Sequence, residues 1–208
     1  MDGVIVHTAP QHFAAWKRVF AEVGRGLSKE EFRVIFGQRN QEILRHILGD
    51  GLSEIQVEEL GCKKEEYYRV LLRGGVEAAP GFEPLLEALR ANGLKIAVGT
   101  SAPRQNVELI LNAVGVRAQL DAVVTAEDVE RGKPDPETFL LAAQRCGVEP
   151  ERCVVFEDAV AGIQAAKAAG MRCVGVGRMD IAQADLVVDN LEKVTISVVK
   201  SLLDKKEE

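Results

Sequence analysis

Beyond Pro80-Gly81 the chain alternates short apolar runs with helical stretches. The runs are Leu94 to Gly99, Asp121 to Thr125, Cys153 to Phe156, Arg172 to Val176 and Asp185 to Val188. They are rich in valine and apolar on successive residues, as strands buried on both faces must be. The stretches Phe82 to Ala91, Gln105 to Val114, Pro136 to Cys146 and Val160 to Ala169 carry the three-and-four spacing of helices and suit right-handed crossovers. The pattern predicts an α/β fold, a doubly wound parallel sheet, with ligands at the carboxyl ends of its strands.

The first third reads differently. Phe13, Trp16, Val19, Phe20 and Val23 form one apolar helix face after Pro10, and Ser28 with Glu31 makes a capping box for a second helix. Arg39 to Leu48 and Ser53 to Leu72 continue the helical pattern, and glycines at 49 and 74 close them. Residues 9–77 are therefore expected to form a helical insert in an α/β core made of residues 1–8 and 78–208.

Composition narrows the function classes. A net charge of −6, with 26 basic residues spread along the chain, provides no footprint for nucleic acid or anionic lipid. No stretch approaches the roughly 20 apolar residues that span a bilayer, so no membrane partner is expected and the protein is expected to be cytoplasmic. Cys62, Cys146, Cys153 and Cys173 contain no C-x-x-C pair, which fits reduced thiols better than a zinc site or disulfide framework.

Four groups of polar residues fall at one predicted sheet edge: Asp2-Gly3, Thr100-Ser101, Gly132-Lys133-Pro134-Asp135, and Glu157-Asp158. A hydroxyl, an ammonium and several carboxylates converging there are the parts of metal-assisted phosphoryl transfer, in which charge on the transferred group must be neutralised. Hard oxygen donors suit Mg²⁺. Taken singly, each has a plainer explanation: Lys133 as a solvated loop lysine, Glu157-Asp158 as acids favouring a helix N-terminus, Thr100-Ser101 as a cap. Gly99, Gly132 and Gly162 read as turn or packing glycines.

Asp2-Gly3-Val4-Ile5, Thr100-Ser101, Gly132-Lys133-Pro134-Asp135-Pro136 and Phe156-Glu157-Asp158-Ala159-x-x-Gly162-Ile163-x-Ala165-Ala166 resemble, in order, the four signatures of the haloacid dehalogenase superfamily. The helical insert resembles the small cap of its β-phosphoglucomutase and phosphatase branch, and His12-Phe13-Ala14-Ala15-Trp16-Lys17 is similar to the mutases. The resemblance implies Mg²⁺-dependent phosphoryl transfer on a small phosphorylated metabolite such as a sugar phosphate, by a mutase or a phosphatase. It makes Asp2 the general acid/base and, through its backbone carbonyl, a metal ligand. Thr100, Ser101 and Gly3 would hold the phosphoryl group, Lys133 would neutralise charge, and Glu157 with Asp158 would complete the metal site. His12 would lie near the cap hinge, and Arg39 and Asn40 would offer polar groups to the substrate. A monomer or weak dimer is expected.

Two departures accompany the resemblance. The family's aspartate nucleophile stands two residues before the acid/base, a position without a counterpart in residues 1–208. The alternative is therefore a catalytically inactive, phosphate-binding relative; a truncation or an internal start is the favoured explanation. His7 stands where the family usually has aspartate.

Overall fold

The computed structural model describes residues 1–177 and 183–204. Two compact units emerge, one of Met1–His7 with Glu77–Glu208 and one of Thr8–Val76. Among the described residues no helix is long and apolar enough to cross a membrane.

The smaller unit is helical: α1 (Ala9–Glu22), α2 (Lys29–Ile35), α3 (Asn40–Leu48) and α4 (Glu54–Leu72). Proline in the first turn starts α1, and two capping boxes start α2 and α4, Ser28 with Glu31 and Ser53 with Gln56. The apolar stripe of α1 supplies Trp16, Val19 and Phe20 to a core shared with Phe32, Ile35, Leu44 and Val57. Trp16 and Phe20 stack with ring centroids 5.1 Å apart.

The larger unit alternates strand and helix: α5 (Phe82–Ala91), β1 (Ala97–Gly99), α6 (Arg104–Ala113), β2 (Ala122–Val124), α7 (Glu137–Cys146), β3 (Val154–Glu157), α8 (Val160–Ala168), β4 (Arg172–Val176), β5 (Leu186–Val188) and α9 (Ile196–Asp204). Among the described residues, these strands pair only in parallel. Helix α7 packs on β1 and β2, and α8 on β3 and β4, burying Phe139, Val155, Ile163, Ala165, Ala166 and Cys173 together.

The expected α/β class with parallel strands holds, but the ladder is interrupted. β1 and β2 form one sheet, and β3, β4 and β5 another, in that order. Met1 to Val6 folds tightly, with Ile5 N–H donating to the Met1 carbonyl and Gly3 N–H to the Val6 carbonyl, both at 2.7 Å. This segment makes isolated bridges, Asp2 with Val6 and Val6 with Ala78, and contributes no strand to join the two ladders.

Candidate phosphoryl-transfer site

Parallel strands present their carboxyl ends at one edge, and two of the four polar groups singled out above stand at or just beyond such ends. Glu157 is the last residue of β3, Asp158 follows it, and Thr100 follows β1. Lys133 reaches the same edge from the segment before α7, across a cis Lys133-Pro134 peptide. Its ammonium donates to the Gly99 carbonyl at 3.2 Å and to Glu157 Oε2 at 2.7 Å, joining the ends of β1 and β3. The Phe139 ring lies beneath it, 4.4 Å from nitrogen to centroid.

Glu157 is fully engaged. While Oε2 receives Lys133, Oε1 accepts from the backbone N–H of Asp158 at 3.1 Å and of Ala159 at 3.3 Å. Burial opposes its charge, yet the adjoining Lys133 ammonium holds its carboxyl well below the usual carboxylate range. Asp158 is in the opposite situation. Burial, the negative Glu157 beside it and the further charge of Asp2 push it up to about 8.

Gly3 explains how Asp158 is seated. Its φ of +74° is one that side-chain-bearing residues rarely adopt, and a Cβ there would fall 1.8 Å from Asp158 Oδ2. The Asp2-Gly3 backbone therefore runs directly against the Asp158 carboxyl. Thr100 is buried; its N–H donates to the Val124 carbonyl and its Oγ1 accepts from Ala102 N–H at 3.1 Å. That turn takes the place of a cap on α6, whose N-cap is Pro103 and whose first-turn Arg104 N–H donates to Glu127. Ser101 follows Thr100 and is half-buried.

Asp2, Gly3, Lys133, Glu157 and Asp158 thus come together, with Thr100 and Ser101 beginning just past Gly99. His12, Arg39 and Asn40 belong to the helical unit. There His12 stacks on Tyr68 with centroids 3.9 Å apart, Arg39 is the N-cap residue of α3, and Asn40 donates to Glu65 Oε1 at 2.7 Å. Lys64 donates to the same oxygen at 2.8 Å, and both Lys64 and Glu65 are buried. This pair was not among the expected site residues. The signal for it lies in the stripe Val57, Leu60, Gly61, Lys64, Glu65 and Tyr68, a helix face that keeps its spacing while including two charges.

Among the described residues no three His, Cys, Asp or Glu side chains gather closely enough to hold a metal by themselves. Mg²⁺ does not require that, because it keeps several waters and takes one or two carboxylates together with substrate phosphate oxygens. Asp158 and Asp2 fit such a role: they are two hard oxygen donors, close enough for the charge of Asp2 to help raise the Asp158 pKa. Glu157, with both oxygens engaged, is the less available donor.

Residues 1–170 match the family of haloacid dehalogenase-like hydrolases. The chain is 39% identical over 178 residues to the fructose-1-phosphate phosphatase YqaB of Escherichia coli, covering 85% of this chain and 93% of that protein. It is 33% identical to the β-phosphoglucomutase of Bacillus subtilis, over 96% of this chain and 91% of that one. The crystal structure of β-phosphoglucomutase from Clostridium difficile superposes with a TM-score of 0.91 at 30% identity, covering 98% of this chain and 94% of the other.

Proposed function

Because the chain belongs to the haloacid dehalogenase-like hydrolases, we propose that it hydrolyses a small phosphorylated carbohydrate, with Mg²⁺ as cofactor. The observation that carries this is the Lys133 ammonium, buried at the carboxyl ends of β1 and β3 beside the turn that begins at Thr100, with the Asp158 carboxyl directly after Glu157. A phosphoryl group in transfer spreads negative charge over its oxygens, and an immobilised ammonium in a water-poor site stabilises that charge without reorganising. The Thr100 hydroxyl, which accepts from Ala102 N–H, would donate its own hydrogen to the same oxygens. Glu157 holds Lys133 in place. Asp158 and the Asp2 carboxylate or carbonyl would hold the Mg²⁺, which when bound supplies further neutralisation of phosphate charge.

In this reading water forms its bond to phosphorus as the bond to the alkoxide breaks, Asp2 giving its proton to the leaving alkoxide oxygen while the proton of the attacking water passes to the released phosphate and Asp2 is reprotonated from solvent. The phosphoryl-accepting aspartate implied by the resemblance has no counterpart in residues 1–208, so no covalent step is assigned to any residue of this chain. The relative with the highest of the identities given above is a phosphatase, which favours water over a sugar hydroxyl as the final acceptor.

The test is phosphate release from a panel that includes fructose 1-phosphate and β-glucose 1-phosphate, using protein whose native N-terminus has been fixed by mass spectrometry, with Mg²⁺ or with EDTA. At least one sugar phosphate should be hydrolysed in Mg²⁺ and none in EDTA. Asp2→Asn should lower kcat by about 100-fold or more, the usual loss when a general acid/base is removed, with phosphate affinity nearly unchanged. Isomerisation of glucose 1-phosphate without phosphate release would replace hydrolysis by a mutase reaction. No turnover on any phosphomonoester would end the proposal.

A further inference from the structure

Gly162 lies in the first turn of α8, where nothing in the backbone asks for glycine. It is not among the glycines with positive φ, and inside a helix alanine is more stable than glycine by about 0.5–1 kcal/mol. Space is what asks for it. A Cβ at Gly162 would fall 2.1 Å from Glu157 Cδ, 2.2 Å from Oε2 and 2.3 Å from Cγ. Oε2 is the atom that receives the Lys133 ammonium.

A methyl group placed there collides with a side chain rather than with backbone, so the carboxyl yields and α8 does not. We propose that Gly162 is a positioning residue for phosphoryl transfer: by having no side chain it leaves Glu157 seated against Lys133, and through Glu157 it fixes the ammonium at the sheet edge. Helix stability alone predicts the reverse preference at this position, so the two explanations separate in experiment. The inference rests on the function proposed above for its kinetic consequence, but not for its structural one.

The test is a double-mutant cycle with Gly162→Ala and Glu157→Ala, the second of which removes the three atoms nearest to the new methyl. G162A should lower kcat by about 100-fold, as for loss of one charge-stabilising donor, and should lower Tm because Glu157 is displaced from Lys133, the opposite of what helix propensity predicts. In the E157A background the same substitution should cost nothing, the double variant staying within a factor of about two of E157A. Costs that multiply, or a G162A enzyme close to wild type, would overturn the idea.

A second readout needs no turnover. Acetylation of lysines by acetic anhydride, followed by mass spectrometry, should become several-fold faster at Lys133 in G162A while Lys95 and Lys200 stay unchanged. If the protein hydrolyses no phosphomonoester, this arm still decides the placement of Glu157, and an unchanged Lys133 rate overturns it.

Discussion

Glu157 and Asp158 share one strand end, and their acidities are driven apart because Lys133 sits against the first and not the second. For Asp158, a folded-state value near 8 against an ordinary 3.8 means that the folded protein holds a proton which the unfolded chain releases. Its contribution to stability is therefore fully present below pH 3.8 and declines as pH rises towards 8. Without metal, Asp158→Asn should gain Tm relative to wild type progressively from pH 4 to 8 and level off above, and Mg²⁺ should narrow the gap by favouring the carboxylate. A constant offset across that window in melts run with EDTA would contradict it. Glu157 works in the other sense: its stabilisation holds above pH 4.5 and fades as acid is added. The motif residues at this edge were legible in the sequence because their order along the chain is informative. The division of labour between the two acids was not, since it depends on which oxygen meets which donor. Gly162 shows the same limit: sequence makes it a packing glycine, and only the folded structure identifies the carboxyl it makes room for.

Helices and strands were read more fully than their contacts. The capping box of α2 and the helices α3, α4, α5 and α7 start and end within a residue or so of the expected positions, because their boundaries are written in local chemistry: Ser28 with Glu31, Ser53 with Gln56, glycine at 49 and 147. β4 coincides with its run and β3 keeps the length of its own, while β1, β2 and β5 are shorter than theirs; β1 begins at Ala97 although the run begins at Leu94, because pairing with β2 starts only there. Helix α9 had no expected counterpart. Its β-branched Ile196, Val198 and Val199 favour a strand while its amphipathic placement of Val199 and Leu202 favours a helix, and the signals cancel. Capping is testable on α4, where Ser53 Oγ accepts from Gln56 N–H and the Gln56 amide oxygen accepts from Ser53 N–H. Ser53→Ala should cost about 1 kcal/mol, with faster amide exchange confined to the first turn at Gln56 and Val57. Uniform acceleration along the whole helix would argue against a local cap.

The α/β class and the helical insert followed from the change of period near Pro80, whereas the interruption of the sheet did not, because a run of valines says that a strand is buried and not which strand lies beside it. With two separate ladders, the Lys133 contacts to Gly99 and Glu157 become a link between them. Lys133→Met would leave the Glu157 carboxylate buried without its cation, an imbalance that costs about 3–5 kcal/mol. Chemical denaturation should show that loss, with faster exchange in both β1 and β3, and Lys133→Met with Glu157→Gln should recover much of it. A loss below about 1 kcal/mol would mean that the pair is solvated enough to be dispensable.

The hydroxyl-bearing turn after β1 and the acids after β3 consequently ride on different plates. Among the described residues no main-chain ladder joins them; the Lys133 amine clasps a carbonyl on one plate and a carboxylate on the other, beside the packing of α7. The length of that one side chain therefore helps to set the span across which a bound anion must fit.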